Sequence, residues 1–184
     1  MPEKIQNNKK RILVGDTSAM ISLEVGDVLI DSLEKFDYII PDKVCKEIED
    51  ISEINDEHGS AAEKILELIR NDKIHRSSVK NIDKVNEIVD LYKKIDFGEA
   101  EALVLAREND HEILITDDLR SMKNLMDISQ GVRVHLSIYV IASMVMKGSL
   151  KKEEALNCLS RISKGRSWEN SAIYNKAMDY IKDL

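Results

Sequence analysis

Asp96–Asp118, DFGEAEALVLARENDHEILITDD, decides the fold. It reads as a helix, a short turn and a buried strand. From Ala100 to Ala106 every residue except Glu101 is apolar, and the run is rich in the strong helix formers Ala and Leu. Glu101 is expected on the helix surface. Glu112-Ile113-Leu114-Ile115-Thr116 then has the length and β-branched content of a strand. Asp96, Glu99 and Glu101 stand at the start of the helix, and Asp117 and Asp118 at the end of the strand. Gly98 lies between the first two acids, where a backbone that needs room would place it. A strand buried on both faces and ending in two aspartates directs those acids out of a sheet edge, where open α/β sheets bind ligands. Adjacent unpaired aspartates repel each other, and hard divalent cations, which prefer oxygen ligands, relieve that repulsion.

Before this stretch, Arg11-Ile12-Leu13-Val14-Gly15 is a short apolar strand ending at Asp16-Thr17-Ser18. A helix follows, with Ser18 as its expected N-cap. A second helix is expected from Val28 to Lys35, and a second strand at Tyr38-Ile39-Ile40, stopped by Pro41. The next helix carries Val44, Cys45, Ile48 and Ile51, and Glu47 lies beside that apolar stripe, near the buried boundary. A helix over about Ser60–Arg70, a strand over Ile74–Val79 and a helix marked by Val85, Ile88, Val89 and Tyr92 come next. After the central stretch, Leu119–Ile128 reads as a helix and Val132–Leu136 as a last strand. From Ile138 the chain reads as three helices broken near Gly148 and Gly165. Alternating strands and helices predict an α/β fold: a parallel sheet with helices on both faces. The expected division is a frayed polar start over residues 1–10, an α/β domain over 11–137, and a helical part over 138–184 packed on that same domain.

With 184 residues, 43% of them hydrophobic and 33% charged, the chain is globular and not disordered. No apolar run approaches ~18 residues, and no signal peptide is evident. Cys45 and Cys158 lie far apart with no metal spacing, as reduced core thiols do, so a cytoplasmic protein with no membrane association is expected. The net charge of −7 argues against a simple polycationic nucleic-acid binder. Its distribution is uneven, however. From Leu119 onward there are 11 Lys and Arg against 6 Asp and Glu, or +5; before it there are 16 against 28, or −12. An acidic half beside a basic half suits an anionic substrate. Arg161, Lys164 and Arg166 cluster near Gly165, and Arg120 follows the acidic pair; all four are candidate phosphate contacts. His58, His75, His111 and His135 have no metal-ligand spacing and are expected to be structural or at the surface.

Each acid also has a bland reading. Asp16 could be only a helix cap, Glu47 a solvated helix residue, Glu99 a first-turn acid, and Asp118 the cap of the helix at Leu119. Four passages in a fixed order weigh against that: RILVGDTSAMISL, IIPDKVCKEI, DFGEAEALVLA and ILITDDLRSMKNL. In these, over about Arg11–Leu125, the sequence resembles the PIN-domain nucleases, and within them small prokaryotic proteins related to VapC-type toxins; the C-terminal SRISKGRSWENSAIYNKAM is less typical of short toxins and more loosely resembles archaeal stand-alone members. The resemblance implies a Rossmann-like parallel sheet and metal-dependent cleavage of single-stranded RNA, with Mg2+ or Mn2+ as cofactor. It places the family's acids on Asp16, Glu47, Glu99 and Asp117, with Asp118 beside the last. Asp16, Glu99 and Asp117 or Asp118 are then the expected metal ligands, and Glu47 a ligand or the group that orients the attacking water. Ser18 and Thr116 are expected to hydrogen-bond a carboxylate or phosphate. The resemblance also admits an antitoxin partner and a homodimer. An RNA-processing nuclease outside any toxin pair, and a PIN-like scaffold that binds RNA or protein without cutting, stay open as alternatives. Other acidic α/β families fit less well: position 18 is Ser where a haloacid-dehalogenase-type phosphatase has a second Asp, and a receiver domain has its acidic pair at the first strand.

Overall fold

The computed structural model describes residues 10–169 and 171–184. The expected frayed start lies outside the described residues, apart from Lys10. The first strand, β1, spans Arg11–Gly15 and leads into α1, Thr17–Val25, and the single turn α2, Leu29–Ser32. Then come β2, Phe36–Pro41, the helices α3, Asp42–Ser52, and α4, Glu57–Arg70, and β3, Ile74–Ser77. The central stretch follows α5, Ile82–Leu91, as α6, Phe97–Glu108, and β4, Ile113–Ile115. After it come α7, Leu119–Ile128, β5, Arg133–His135, and the three helices α8, Ile138–Met146, α9, Lys152–Gly165, and α10, Ala172–Asp183.

The five strands form one all-parallel sheet in the order β3-β2-β1-β4-β5. From β1 the chain builds outward through β2 to β3 on one side. It then returns to lay β4 and β5 on the other. The crevice between β1 and β4 is therefore the point where the winding reverses, the usual ligand position of such sheets. Gly15 pairs with Ile115 at the carboxyl end of that crevice, so Asp16 and Thr116 are the next residues out.

Alternation along the strands divides the core. Leu13, Tyr38, Ile113 and Ile115 face one layer with residues of α1, α3 and α4, together with Val140, Ile162 and Ile181 of the three C-terminal helices. Val14, Leu114 and Val134 face the opposite layer, with α5, α6 and Leu125 of α7. Period-two alternation sends successive side chains to opposite faces, which is why three consecutive residues of β4 are all fully buried.

Several boundaries differ from the sequence reading. The helix expected from Val28 to Lys35 closes after one turn, because Phe36 is already paired in the sheet opposite Arg11. Helix α4 starts three residues early, since Asp56 caps it by accepting from Gly59 N. The N-cap of α1 is Asp16, not Ser18. Among the described residues no helix is long and apolar enough to cross a membrane.

Candidate functional site

Asp16 leaves β1 in extended conformation, and its backbone N–H donates to Ile115 O on β4 (3.0 Å). One carboxylate oxygen, Oδ2, accepts from Ser18 Oγ (2.6 Å), Thr116 Oγ1 (3.0 Å) and Ser18 N (3.2 Å). Those two hydroxyls also receive bonds from β4's extension: Asp117 N donates to Ser18 Oγ, and Asp118 N to Thr116 Oγ1. Ser18 and Thr116 thus fasten the two strand ends together around Asp16, whose Oδ1 forms no hydrogen bond among the described residues.

The start of α6 is a reciprocal cap. Asp96 accepts from Glu99 N (2.9 Å), and Glu99 Oε2 accepts from Asp96 N (3.1 Å). Glu99 Oε1 accepts from Ser121 Oγ on α7. Burial pushes the Glu99 carboxyl up to about 8, and the nearby charges of Asp16 and Asp96 push the same way. Burial likewise raises Asp16 to about 6, with the Asp96 charge adding to it. Three carboxylates, one at the end of β1 and two at the start of α6, are therefore close enough to disfavour one another's charge.

Glu47 comes in from α3. Its Oε2 accepts from Thr17 Oγ1 (2.6 Å), and Oε1 pairs with Lys43 Nζ (3.3 Å). It lies directly over Gly98, where an added Cβ would stand 3.0 Å from Oε2 and 3.2 Å from Oε1. Gly98 is the space that lets α6 and the Glu47 carboxylate meet.

Asp117 and Asp118 part company. Asp117 is 2% exposed, and Ser137 satisfies both its oxygens, through N at 2.8 Å and Oγ at 2.7 Å. Burial raises its pKa. Asp118 caps α7 and binds the Arg120 guanidinium, which holds its carboxyl below the usual range.

A cavity of about 330 Å³ opens on this cluster. Asp16, Ser18, Glu47, Asp96, Asp118, Arg120 and Arg166 line it, whereas Glu99, Asp117 and Thr116 lie behind its wall. Arg166 is the C-cap residue of α9, and the chain reverses directly after it. Ser167 takes φ 55°, Trp168 N bonds back to Ser163 O (2.8 Å), and His58 Nε2 meets Gly165 O (3.0 Å). Trp168 packs on the core. The basic cluster is thereby split: Arg161 turns to Asp27 (3.5 Å), Lys164 is exposed on α9, and Arg166 alone of the three reaches the cavity.

Three features of the site are not legible in the sequence. Asp96 reads as part of a helix start, yet it also faces the cavity. The Asp-x-x-Glu spacing signals the cap but not the second duty. His58 lines the same cavity, and no sequence signal marks it. Glu101 is not on the helix surface. It is 4% exposed, and its Oε2 accepts from Lys43 N (2.7 Å) at the start of α3, the helix that carries Glu47. The reason is tertiary: α3 crosses α6 on the side that local periodicity left facing out. Glu101→Gln keeps an acceptor there and should retain near-native stability. Glu101→Ala removes the acceptor of this partly buried N–H and should cost about 1 kcal/mol or more in denaturant unfolding. Equal stabilities for the two variants would contradict this role.

The donor chemistry fits a hard divalent cation. The side-chain donors facing the crevice are oxygens, the carboxylates disfavour one another's charge, and such ions need only a few carboxylates. Among the described residues, no group of three or more Asp, Glu, His or Cys side chains is placed so that together they could hold a metal ion.

A parallel sheet with carboxylates gathered at its winding reversal defines the class of α/β proteins that bind polar or ionic ligands at a strand-end crevice. A family model described as PIN domain matches residues 12–183. The chain belongs to the PIN-domain family, whose members are typically nucleases and generally use divalent metal ions. No curated protein and no solved structure matches it.

Proposed function

We propose that the protein is a metal-dependent endoribonuclease that hydrolyses phosphodiester bonds of single-stranded RNA. The observation that carries this reading is the meeting of Asp16, Asp96, Glu99 and Glu47 at the β1–β4 crevice, with Arg120 and Arg166 on the rim of the same cavity. Asp16, Asp96, Glu99 and Asp118 would hold Mg2+ or Mn2+, and Asp117 adds negative charge from behind. When bound, the ion supplies a water of lowered pKa and neutralises charge developing on the leaving oxygen. Glu47, fixed by Thr17 and Lys43, accepts a hydrogen bond from the attacking water and orients it. Arg120 and Arg166 bind phosphate oxygens, while Ser18 and Thr116 keep Asp16 Oδ1 turned outward. The two buried free cysteines, Cys45 and Cys158, accord with a reducing compartment such as the cytoplasm.

The direct test is cleavage of a mixed single-stranded RNA pool with Mg2+ or Mn2+, and with EDTA as control. Cleavage that survives EDTA would overturn metal dependence. A gene for a small DNA-binding antitoxin immediately upstream would assign the enzyme to a toxin pair; a neighbourhood of RNA-processing genes would assign it to RNA maturation.

Stability should report the ion independently of activity. Glu99 titrates at about 8 in the folded protein against an ordinary 4.5, so the folded state binds more protons between those values. Its contribution is present at low pH and is lost as pH rises through about 8. The metal-free protein should therefore lose stability relative to Glu99→Gln as pH rises. Mn2+ should raise Tm by mass action, more at pH 8 than at pH 6. A Tm that Mn2+ leaves unmoved at both pH values would count against the ion site.

A further inference from the structure

The acidic cavity continues past Asp96 and Asp118. On their far side lies a second depression of about 430 Å³, lined by Lys93, Lys94, Ile95, Asp96, Asp118 and Arg120. Asp96, Asp118 and Arg120 line both, so the two depressions share one rim. Lys93 and Lys94 sit on the turn between α5 and α6, and both are exposed. Among the described residues neither forms an ion pair, whereas Arg120 is held by Asp118 and Lys43 by Glu47. The turn itself is anchored: Ile95 is 2% exposed, and its N–H donates to Tyr92 O (2.9 Å). Two ammonium groups without an ion-pair partner among the described residues are thus held on a fixed turn beside the acids, while Arg166 lines the adjoining cavity and not this one.

Cation, acid cluster, cation is the charge order that a phosphodiester chain meets if its scissile linkage lies over the acids. Phosphates on either side of that linkage then need positive partners, which a small substrate does not. We propose that Lys93 and Lys94 form a second phosphate subsite, which takes backbone phosphates of the RNA to one side of the cleaved bond while Arg166 serves the other. This rests on the nuclease reading above and extends it to a substrate that runs along a groove through the site. Lysines suit the task because each acts as a compact point charge with rotatable donors, so their grip is independent of base sequence.

The test uses the full chain carrying Lys93→Ala and Lys94→Ala, in an Asp16→Asn background so that bound RNA survives. Affinity for single-stranded RNA of about 12 and about 4 nucleotides is measured against salt in Mg2+. For the longer RNA, affinity should fall about 10-fold and the slope of log affinity against log salt by about 1.4, at roughly 0.7 for each phosphate that is no longer neutralised. The shorter RNA should lose much less. With Asp16 intact, the same double change should raise KM more than it lowers kcat, and Lys93→Arg with Lys94→Arg should restore binding. The exposed pair Lys73→Ala and Lys176→Ala, which removes equal charge elsewhere, should leave the salt slope unchanged. An unchanged slope and affinity in the Lys93/Lys94 variant, while the wild type still cuts RNA, would overturn the subsite alone. A wild type that neither binds nor cuts RNA would overturn the nuclease reading and the subsite together. Lysine-dependent capture of an acidic polypeptide without RNA binding would overturn the assignment to RNA.

Discussion

Asp16→Asn should abolish nearly all RNA cleavage, by about 100-fold or more, without unfolding the protein. Removing one preorganised electrostatic group from an active site typically costs ~10²–10³ in rate. Asp16 is the acid at the winding reversal of the sheet, and three donors converge on its Oδ2, leaving Oδ1 for a ligand. Asn keeps the shape, but half of its head group then donates where a cation needs lone pairs. The fold should survive because burial already disfavours the charge on Asp16, which sits at about 6. Removing that charge relieves Glu99 as well. Metal-free Asp16→Asn should accordingly be at least as stable as the wild type at pH 8, and its Tm should respond less to Mn2+. The assay is single-turnover cleavage, with circular dichroism to verify the fold. Cleavage left intact in this variant would remove Asp16 from the catalytic site.

The largest expected effect on stability lies at Gly59. Helix α3 ends at Ser52 and α4 begins at Glu57, so the connection between them is short. Gly59 N donates to Asp56 Oδ1 (2.8 Å), and the first turn of α4 presses onto the end of that connection. A Cβ at position 59 would stand 1.8 Å from Ile54 O and 3.2 Å from Ile51 O, both backbone atoms that no rotamer change can move away. Gly59→Ala must shift the backbone, and overpacking of this kind costs ~1–3 kcal/mol or more. At about 2–4 °C per kcal/mol for a chain of this size, Tm should fall by about 2–12 °C. Ile54, Asp56 and His58 also line the acidic cavity, so cleavage should fall with stability. Thermal denaturation decides it: an unchanged Tm would mean that the connection yields freely.

Much of this molecule was legible from local pattern. Strand-length apolar runs alternating with helical ones fix a parallel α/β sheet, because each strand must be followed by a crossover helix. Acids placed at the ends of the first and fourth strands then have to emerge at the same edge, whatever the details of packing. Gly98 was also readable as a point of close approach, although not what approaches it. The structure supplies Glu47, from a helix some fifty residues earlier in the chain.

What the sequence could not decide is which neighbour each acid meets. Asp117 and Asp118 are chemically identical and adjacent, and in extended backbone successive side chains point opposite ways. Only the packing of α8 sends Asp117 to Ser137 and leaves Asp118 to the cavity. Glu101 reads as a surface acid on α6 until α3 is laid across it and offers Lys43 N. Arg161 and Arg166 sit five residues apart in one basic cluster, yet Arg161 meets Asp27 and only Arg166, at the end of α9 beside the His58–Gly165 bond, lines the site. Local sequence determined the elements and the sheet edge at which the chemistry gathers, since periodicity and strand ends are properties of short segments. The partners of each carboxylate were decided by tertiary structure alone, because they come from segments far away in the chain, whose approach depends on how the helices pack on the sheet.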